Sequence, residues 1–212
     1  MKTADVIIVG SGASGLFNAL FLPQDYKVIV ITKKTVEESD SFLAQGGISA
    51  LKNPEDYDSY FEDTMKAGHY ENDKGAVEKM IKESPQIIQD LKDFGVRFDL
   101  KDGEIEFTRE GGHSTFRILH HEDLTGKEIT SHLYEEAKKR DNITIMENCM
   151  MIDIIEKDGE CKGIVYKDQD GNFDTIEAPD TVLATGGLGG LFKHSTNFRH
   201  LTADSLAICL RH

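Results

Sequence analysis

Apolar and polar positions at the start of the chain predict two short strands with one short helix between them. Residues 5–9 (DVIIV) and 28–32 (VIVIT) are continuous apolar runs, and residues 13–22 carry apolar side chains at helical spacing, ending at Pro23. Continuous apolar strands joined by one helix are typical of a parallel sheet that is buried on both faces. We therefore predict a βαβ unit over residues 4–34.

Two longer amphipathic helices are predicted next, over residues 54–70 and 74–95. In each, apolar side chains recur at intervals of three and four residues, as on one face of a helix. Pro54 is expected in the first turn of the earlier helix, where a missing N–H does no harm. Pro85 is expected to kink or divide the later helix, and Gly95 to end it.

Three Asp-Gly pairs lie between β-rich stretches, at 102–103, 158–159 and 170–171. This dipeptide suits the tight turn of a β-hairpin, so each pair predicts a hairpin. The last two pairs predict a small antiparallel β-meander over residues 143–178. Between the first and second pairs, residues 125–140 have the apolar spacing of a helix.

The C-terminal part of the sequence returns to the parallel pattern. Residues 180–190 (DTVLATGGLGG) form an apolar strand that runs into a glycine cluster, and residues 202–212 begin a helix. The whole pattern predicts a doubly wound α/β domain with an inserted antiparallel β-meander. Residues 35–124 contain the loops on which the candidate chemistry lies.

Composition and charge restrict the partners of the protein. The formal net charge is −14, which disfavours nucleic acid and anionic membranes as partners. No apolar run approaches the roughly 20 residues that span a bilayer, and no leader precedes the first strand, so we expect a cytoplasmic protein. The three cysteines form no CxxC pair and are expected to be free, mostly buried thiols. His120 and His121 are adjacent and should point to opposite sides, so no metal site is expected.

The segment after the first strand reads VGSGASG, in which Gly10, Gly12 and Gly15 match G-x-G-x-x-G. The first glycine allows a tight turn, the second allows the backbone to approach a pyrophosphate, and the third allows close packing of helix on strand. The helix N-terminus adds unpaired N–H groups and a partial positive charge. Because a strand precedes and a helix follows, the motif predicts a dinucleotide site.

The end of the second strand does not identify the dinucleotide. An acidic residue that accepts the ribose hydroxyls is expected about 20 residues after the glycines, but the sequence there reads Thr32-Lys33-Lys34, with no acid before Glu37. The lysines are compatible with a 2′-phosphate and equally with a solvated strand end.

Residues 39–50 (SDSFLAQGGISA) are too apolar for an ordinary surface loop, yet Gly46 and Gly47 oppose a regular helix. Glycines and exposed amides suit a backbone that lies close to a flat, bulky ring. Here the chain resembles the flavoprotein group of L-aspartate oxidase and the flavin subunits of fumarate reductase and succinate dehydrogenase. In this resemblance, AQGGI at 44–48 corresponds to the isoalloxazine-contacting segment and LATGG at 183–187 to the second FAD motif. It covers residues 4–212 and implies a Rossmann-like FAD-binding domain.

Two positions distinguish the members of this group. The reductase and dehydrogenase flavoproteins carry the flavin covalently on a histidine a few residues before AQGG, where this chain has Asp40 and Ser41. The resemblance therefore implies non-covalent FAD. The block at 108–129 (TREGGHSTFRILHHEDLTGKEI) resembles the L-aspartate oxidases closely, including Glu110 between an arginine and two glycines.

The resemblance implies a set of cofactor-binding residues that extends over four segments of the chain. The set includes Lys33, which resolves the missing acid, because the similar oxidases use a lysine there. The implied FAD contacts are Gly10, Ser11, Gly12, Ala13, Ser14, Gly15, Lys33, Asp40, Ser41, Phe42, Leu43, Ala44, Gln45, Gly46, Gly47, Ala184, Thr185, Gly186 and Asp204.

The same resemblance assigns Glu110 to substrate orientation, by accepting hydrogen bonds from the α-ammonium group of L-aspartate. The alternative for Glu110 is a plain salt bridge with Arg109 or Arg117. For His113 we favour a scaffolding imidazole bonded to backbone over an acid-base catalyst. Arg117 and His120 are expected to be framework residues.

The implied reaction is the oxidation of L-aspartate to iminoaspartate with oxygen or fumarate as acceptor, the first step of NAD biosynthesis, with quinolinate synthase as the implied recipient.

Members of the group are longer than 212 residues, and their carboxylate-binding arginines and histidines have no match here. We therefore expect an N-terminal portion without its capping domain, inactive alone. A fumarate reductase or succinate dehydrogenase flavoprotein and a non-catalytic flavin-binding module remain the alternatives. Ala203 and Ser205, beside Asp204, replace glycines of many relatives and leave less room there.

Overall fold

The computed structural model describes residues 2–212. The chain divides into two compact units, one built from the residues up to 43 and from 130 onward, the other from residues 44–129. Each unit has its own sheets and is described by itself below.

Residues 2–212 form thirteen strands, most of them short, which are distributed over the two units. In chain order they are β1 (Lys2–Thr3), β2 (Val6–Val9), β3 (Val28–Ile31), β4 (Ile48–Ser49), β5 (Leu100–Lys101), β6 (Glu104–Ile105), β7 (Phe107–Thr108), β8 (Ile118–Leu119), β9 (Ile143–Met146), β10 (Met150–Lys157), β11 (Glu160–Lys167), β12 (Phe173–Glu177) and β13 (Asp180–Leu183).

Six α-helices accompany these strands in the described part of the chain, and single 3-10 turns lie at Val36–Glu38, Pro54–Asp56 and Gly189–Leu191. The α-helices are α1 (Ala13–Phe21), α2 (Asp40–Leu43), α3 (Tyr57–Ala67), α4 (Lys74–Asp93), α5 (Thr125–Lys138) and α6 (Asp204–Cys209).

The first unit contains a four-stranded parallel sheet with the order β13–β2–β3–β9. All four residues of β2 and all four of β3 are buried, as the continuous apolar runs predict. The chain crosses from β2 to β3 through α1, whose Leu16, Ala19 and Leu20 are buried. The βαβ unit is therefore present, with a parallel sheet at its centre.

The predicted extent of the β-meander was wrong at its N-terminal end. The stretch from 143 was assigned to the meander, but β9 pairs in parallel with β3, with Val28 opposite Ile143. Asn142 explains the docking: its carbonyl accepts from the Val28 N–H at 2.9 Å, and its side-chain amide donates to the Tyr26 carbonyl at 2.8 Å. A short apolar run does not reveal which sheet it will join.

The meander itself comprises β10, β11 and β12 in antiparallel order, with β1 added in parallel beside β12. Asp158 and Gly159 form the tight turn between β10 and β11, as the Asp-Gly signal predicts. Buried side chains of the meander and of the parallel sheet form one apolar cluster, which includes Ile7, Ile31, Ile164 and Ile176.

The second unit centres on the contact between α3 and α4. Their shared apolar cluster comprises Tyr60, Met65, Val77 and Ile81. A small antiparallel sheet with the order β4–β8–β7 and the hairpin β5–β6 complete this unit.

Pro85 does not divide α4, which continues from Lys74 to Asp93. A proline inside a helix leaves the carbonyl four residues earlier without its N–H partner. Here the hydroxyl of Ser84 donates to the Ile81 carbonyl at 2.7 Å and accepts from the Leu51 N–H at 2.8 Å. The freed carbonyl is thereby satisfied. Of the predicted kink or division at Pro85, the division was wrong.

Two further expectations concern the cysteines and membrane-spanning helices. Of the three cysteines only Cys149 is buried, whereas Cys161 is half-buried and Cys209 exposed, so the expectation of mostly buried thiols was wrong. Between residues 2 and 212, no helix has the length and apolar character required to cross a bilayer.

Candidate functional site

The loop between β2 and α1 is held by very close backbone contacts. A Cβ atom at Gly10 would lie 2.1 Å from the Ala184 carbonyl oxygen, and one at Gly15 would lie 1.9 Å from the Gly10 oxygen. Gly10 also has a φ of +116°, which L side chains rarely adopt. The first and third glycines are therefore required by packing, as the motif predicts.

The N-terminus of α1 opens into a cleft that the glycine loop also lines. Gly12 occupies the N-cap position and supplies no side-chain cap, so the first N–H groups of the helix remain suited to an anionic group. A Cβ at Gly12 would approach the Ser41 hydroxyl at 2.9 Å. The Ser11 hydroxyl is buried and donates to Thr32 Oγ1 at 2.8 Å, which ties the loop to the end of β3.

This nucleotide cleft, as we call it, has a volume of about 330 Å³ and lies wholly within the first unit. It brings together most of the predicted cofactor residues of that unit. Those that line it are Gly10, Ser11, Gly12, Ser14, Lys33, Asp40, Ser41, Ala184, Thr185, Gly186 and Asp204. Ala13, Gly15, Phe42 and Leu43 do not line it.

Lys33 and Asp204 form the charged wall of the nucleotide cleft. Lys33 Nζ lies 2.7 Å from Asp204 Oδ2 and donates to the His200 carbonyl at 2.7 Å and to Thr202 Oγ1 at 2.9 Å. Thr202 in turn donates to Asp204 Oδ1 at 2.7 Å. Lys33 and Asp204, predicted as separate cofactor contacts, are thus one network.

Asp40 lies at the start of α2, and its carboxylate is already engaged by protein. It accepts from the Asn197 side-chain amide and from the Phe198 N–H at 3.1 Å. The segment that follows was expected to be too apolar for a surface loop, but residues 43–47 are exposed, with Leu43 at 46%.

Several residues of the nucleotide cleft were missed by the sequence reasoning. They include Thr32, Thr35, Glu38, Ser39, Cys149, Met151 and His200. Thr32 could have been found from its place at the end of the second strand. Thr35, Glu38 and Ser39 lie between the predicted residues Lys33 and Asp40, whereas Cys149, Met151 and His200 are brought to the cleft by contacts far apart in sequence. Among them, burial raises the pKa of the Cys149 thiol above its usual value.

The second unit has its own polar cleft, with a volume of about 530 Å³. It contains the predicted substrate residue Glu110 together with part of the AQGG segment. The residues that line this acidic cleft, as we call it, are Gln45, Gly46, Gly47, Thr108, Glu110, His120, Glu122 and Asp123. Three carboxylates within one cleft suit a cationic group.

Glu110 accepts a hydrogen bond from the Gly47 N–H, with Oε1 at 3.1 Å from the nitrogen. The alternative of a salt bridge with Arg109 or Arg117 does not describe this contact. Arg109 lies over the Phe116 ring at 5.6 Å, and Arg117 pairs with aspartates of α3 and of the turn before it.

Gly47 is required here by neighbouring backbone, and Gly46 lies against the Glu110 carboxylate. A Cβ at Gly47 would lie 2.3 Å from both the Ile118 side chain and the Leu119 carbonyl oxygen, and one at Gly46 would lie 2.9 Å from Glu110 Oε1. Close packing on β8 is therefore one physical reason for Gly47, in addition to the predicted approach to a ring.

Arg117, expected only as a framework residue, is fully buried. Its Nε and Nη2 donate to the two oxygens of Asp56 at 2.8 Å each, and its Nη1 donates to Asp63 at 2.6 Å. The hydrogen bonds from Arg117 lower the pKa of the Asp56 carboxyl to about 2. For Asp63, burial opposes ionisation, but hydrogen bonds from Ser114 and Arg117 hold its pKa below the usual value.

His113 was expected to bond to backbone. Instead its Nδ1 lies 3.1 Å from Arg117 Nη1, and its ring lies 6.2 Å from that of Tyr60. The contact is with a side chain, but it suits a scaffolding role.

The adjacent residues His120 and His121 were expected to point to opposite sides of the chain. This expectation was wrong, because both side chains point towards Asp99. Their Nδ1 atoms each lie 3.2 Å from an oxygen of Asp99. β8 ends at Leu119, so the alternation of side chains along a strand does not apply to His120 and His121. Within the described part of the chain, no group of three or more His, Cys, Asp or Glu side chains is arranged to hold a metal.

The parallel sheet, the glycine-formed loop and the open N-terminus of α1 define a dinucleotide-binding domain of the doubly wound class. The cradle fits the cofactor, because each of its three glycines lies where a side chain would fill the cleft or displace the backbone. The chain belongs to the FAD-binding domain family, whose model matches residues 5–212.

Curated relatives with high similarity carry the name L-aspartate oxidase. The chain is 44% identical over 210 residues to that of Clostridium perfringens and 46% identical over 209 residues to that of Clostridium acetobutylicum. The alignments cover 99% and 98% of this chain but 48% of each relative. The chain thus spans about half the length of the curated relatives it matches.

Solved structures with the same fold include fumarate reductases. The E. coli quinol fumarate reductase matches with a TM-score of 0.94 at 27% identity, over 100% of this chain and 38% of that one. A flavocytochrome c3 fumarate reductase matches with a TM-score of 0.78 at 26% identity, over 89% and 34%. The predicted FAD-binding, Rossmann-like fold class with parallel sheet is confirmed.

Proposed function

We propose that the protein carrying this chain is an FAD-dependent L-aspartate oxidase that converts L-aspartate to iminoaspartate, with oxygen or fumarate as acceptor. The observation that carries the proposal is the carboxylate of Glu110, fixed on the Gly47 N–H within the acidic cleft. An amino-acid oxidase must recognise a substrate cation that a dicarboxylate reductase never meets. Relatives at 44% and 46% identity that bear this name support the proposal.

In this proposal FAD binds non-covalently at the nucleotide cleft. The N–H groups of residues 11–14 hold the pyrophosphate at the N-terminus of α1. Lys33 and Asp204, joined at 2.7 Å, contact the cofactor together. Residues 40–47 line the flavin, and Ala184, Thr185 and Gly186 complete the second FAD motif. The carboxylate of Asp40 cannot form a histidyl link.

When bound, FAD supplies the two-electron acceptor that no amino-acid side chain provides. The contribution of this chain is recognition and orientation of the substrate. Oε1 of Glu110 is held by the Gly47 N–H at 3.1 Å, and the carboxylate retains free acceptor positions for the α-ammonium group. Such charge-assisted hydrogen bonds are about twice as strong as neutral ones, so Glu110 selects an amino acid over a plain dicarboxylate.

A fumarate reductase or succinate dehydrogenase flavoprotein is the second candidate. The likeness to the quinol fumarate reductase, with a TM-score of 0.94, favours it. Asp40 in place of the flavin-bearing histidine and the presence of Glu110 disfavour it. A flavin-binding module without catalysis of its own is the third candidate.

The test uses the purified protein that carries this sequence, supplied with FAD. We expect visible absorbance near roughly 450 nm from bound oxidised flavin, release of the yellow colour on acid precipitation, and peroxide formation with L-aspartate but not with succinate. Colour retained in the acid pellet with turnover of succinate would establish the second candidate. Flavin binding without turnover of either substrate would establish the third.

The 212-residue chain by itself is expected to be inactive, because no residues match the carboxylate-binding arginines and histidines that the resemblance implies. Peroxide formation from L-aspartate by the isolated chain would refute this expectation.

The cellular role follows from the proposed reaction. The oxidation would be the first step of de novo NAD biosynthesis, with quinolinate synthase as the recipient of its product, iminoaspartate. A cytoplasmic location and the lack of a nucleic-acid partner stay predictions from the sequence.

A further inference from the structure

The buried guanidinium of Arg117 connects two segments that are far apart in sequence. On one side its Nε and Nη2 bind Asp56, and Nη2 also donates to Ser59 Oγ at 2.6 Å. The Tyr60 ring lies 4.8 Å from the guanidinium carbon. These contacts fix Arg117 to α3 and the turn before it, and they compensate part of the desolvation of a fully buried cation.

On its other side Arg117 faces the loop that carries Glu110. Its Nη1 donates to Asp63 Oδ2 at 2.6 Å and lies 3.1 Å from His113 Nδ1. A guanidinium can only donate, so Nδ1 accepts, and the proton of the neutral imidazole lies on Nε2. Arg117 therefore fixes both the position and the tautomer of His113.

The side chain of Asp63 binds the same loop at Ser114. Its Oδ2 accepts from the Ser114 N–H at 2.7 Å and from the Ser114 hydroxyl at 2.8 Å. One turn further, the His113 N–H donates to the Glu110 carbonyl at 3.3 Å, with Gly112 between them at a φ of +86°. A continuous series of contacts thus runs from α3 to the backbone of Glu110.

We infer that Asp63 and Arg117 are positioning residues for Glu110, because they fix the turn at 110–114 on α3 and thereby keep the Glu110 carboxylate on the Gly47 N–H. The inference rests on the proposed function, in which Glu110 binds the α-ammonium group of L-aspartate. Small displacements of a binding group have large kinetic effects, so a loose turn should weaken recognition of the amino acid.

Asp63→Ala in the purified, FAD-supplied protein tests this inference, with Asp58→Ala as control. Asp58 is an exposed aspartate of the same helix. For Asp63→Ala we expect the KM for L-aspartate to rise roughly tenfold while kcat changes less than about twofold, since the lost interaction serves binding. The inhibition constant of succinate, which has no ammonium group, should stay unchanged. Asp58→Ala should match the wild type in all three.

Asp63→Asn and amide hydrogen exchange give a second readout. Asparagine retains an acceptor oxygen for the Ser114 N–H, so this variant should restore part of the lost affinity. Exchange at residues 111–114 should be faster in Asp63→Ala and unchanged in Asp58→Ala. Arg117→Lys keeps the positive charge but loses the planar set of guanidinium donors, so it should also speed exchange in the turn at 110–114.

The outcomes separate the two hypotheses. A wild-type protein that does not oxidise L-aspartate overturns the proposed function, and exchange then decides the positioning of the turn without any substrate. Unchanged exchange in Asp63→Ala, or a KM equal to that of Asp58→Ala in an active protein, overturns the positioning role. Equal losses of affinity for L-aspartate and succinate would also overturn it, since they would indicate general damage to the site.

Discussion

The nucleotide cleft and the acidic cleft are built by different means. The nucleotide cleft is formed mainly by backbone: Gly10 and Gly15 permit contacts that any Cβ would prevent, and α1 begins without a side-chain cap. The acidic cleft is formed by side chains, and its loop is anchored by the buried Arg117 with Asp56 and Asp63.

This difference determines how each site should respond to change. A backbone-formed cleft fails when an added atom displaces the chain, whereas a cleft anchored by buried charges fails when one partner is removed. It should also make the acidic cleft the more sensitive of the two to pH.

Removal of the buried cation should cause the largest loss of stability. Arg117→Met leaves Asp56 and Asp63 without their common partner, and breaking a buried pair costs about 3 to 5 kcal/mol. The measurement is urea unfolding, with Arg97→Met as control, because the Arg97 side chain is 71% exposed although it also pairs with a glutamate. Similar falls in the urea midpoint for both variants would show that the buried Arg117 network contributes no more stability than the exposed Arg97 pair.

The second largest loss of stability is expected from a methyl group at Gly10, the first glycine of the nucleotide cleft. Gly10→Ala places a Cβ 2.1 Å from the Ala184 oxygen at a φ of +116°, so we expect a loss of about 3 kcal/mol and of FAD binding. Gly159→Ala is the matched control, since Gly159 has a φ of +78° but no atom within 4 Å of an added Cβ. It should cost about 1 kcal/mol and retain FAD. Normal flavin absorbance in Gly10→Ala would contradict the account.

Acid should weaken the anchored loop over a defined range. The Asp56 pKa falls from 3.8 to about 2 on folding, so its stabilising effect is complete above the unfolded value and is lost as pH falls towards 2. The difference in unfolding free energy between wild type and Asp56→Asn should therefore shrink by about 2 kcal/mol from pH 5 to pH 2. A difference that stays constant over this range would contradict the assignment.

The smallest effect concerns the residue before Asp204. Ala203 has a φ of +56° at the N-cap of α6, a conformation that suits glycine better. Ala203→Gly should raise the unfolding free energy by about 0.5 kcal/mol, after the greater chain entropy of glycine is deducted. Ala207→Gly, at an exposed helical position, should lower it by about 1 kcal/mol. Changes of the same sign would refute the strain at Ala203.

The two clefts also differ in how far the sequence predicts them. The nucleotide cleft was found because Gly10, Gly12 and Gly15 lie within six residues, between a strand and a helix. Local spacing predicts the turn and the open helix N-terminus there. The partnership of Lys33 with Asp204 was not visible, because 171 residues separate them and nothing local specifies the contact.

In the second unit the sequence predicted fewer of the contacts that build the site. Arg117 was assigned to the framework, but its partners Asp56 and Asp63 could not be chosen among the many carboxylates of an acidic chain. Pro85 was overestimated as a helix breaker, because the compensating Ser84 hydroxyl acts only in the folded geometry. The role of Glu110 came from a resemblance, and its contact with Gly47 from the structure.

Glu110→Gln tests the central claim most directly, namely that the acidic cleft recognises the amine of L-aspartate through this carboxylate. Glutamine keeps the size and an acceptor for the Gly47 N–H but removes the charge. Hydrogen bonds to charged groups contribute about 1.5 to 3 kcal/mol, so kcat/KM for L-aspartate should fall roughly 10- to 150-fold. Flavin absorbance and the inhibition constant of succinate should remain as in the wild type. An unchanged kcat/KM for L-aspartate would contradict the account.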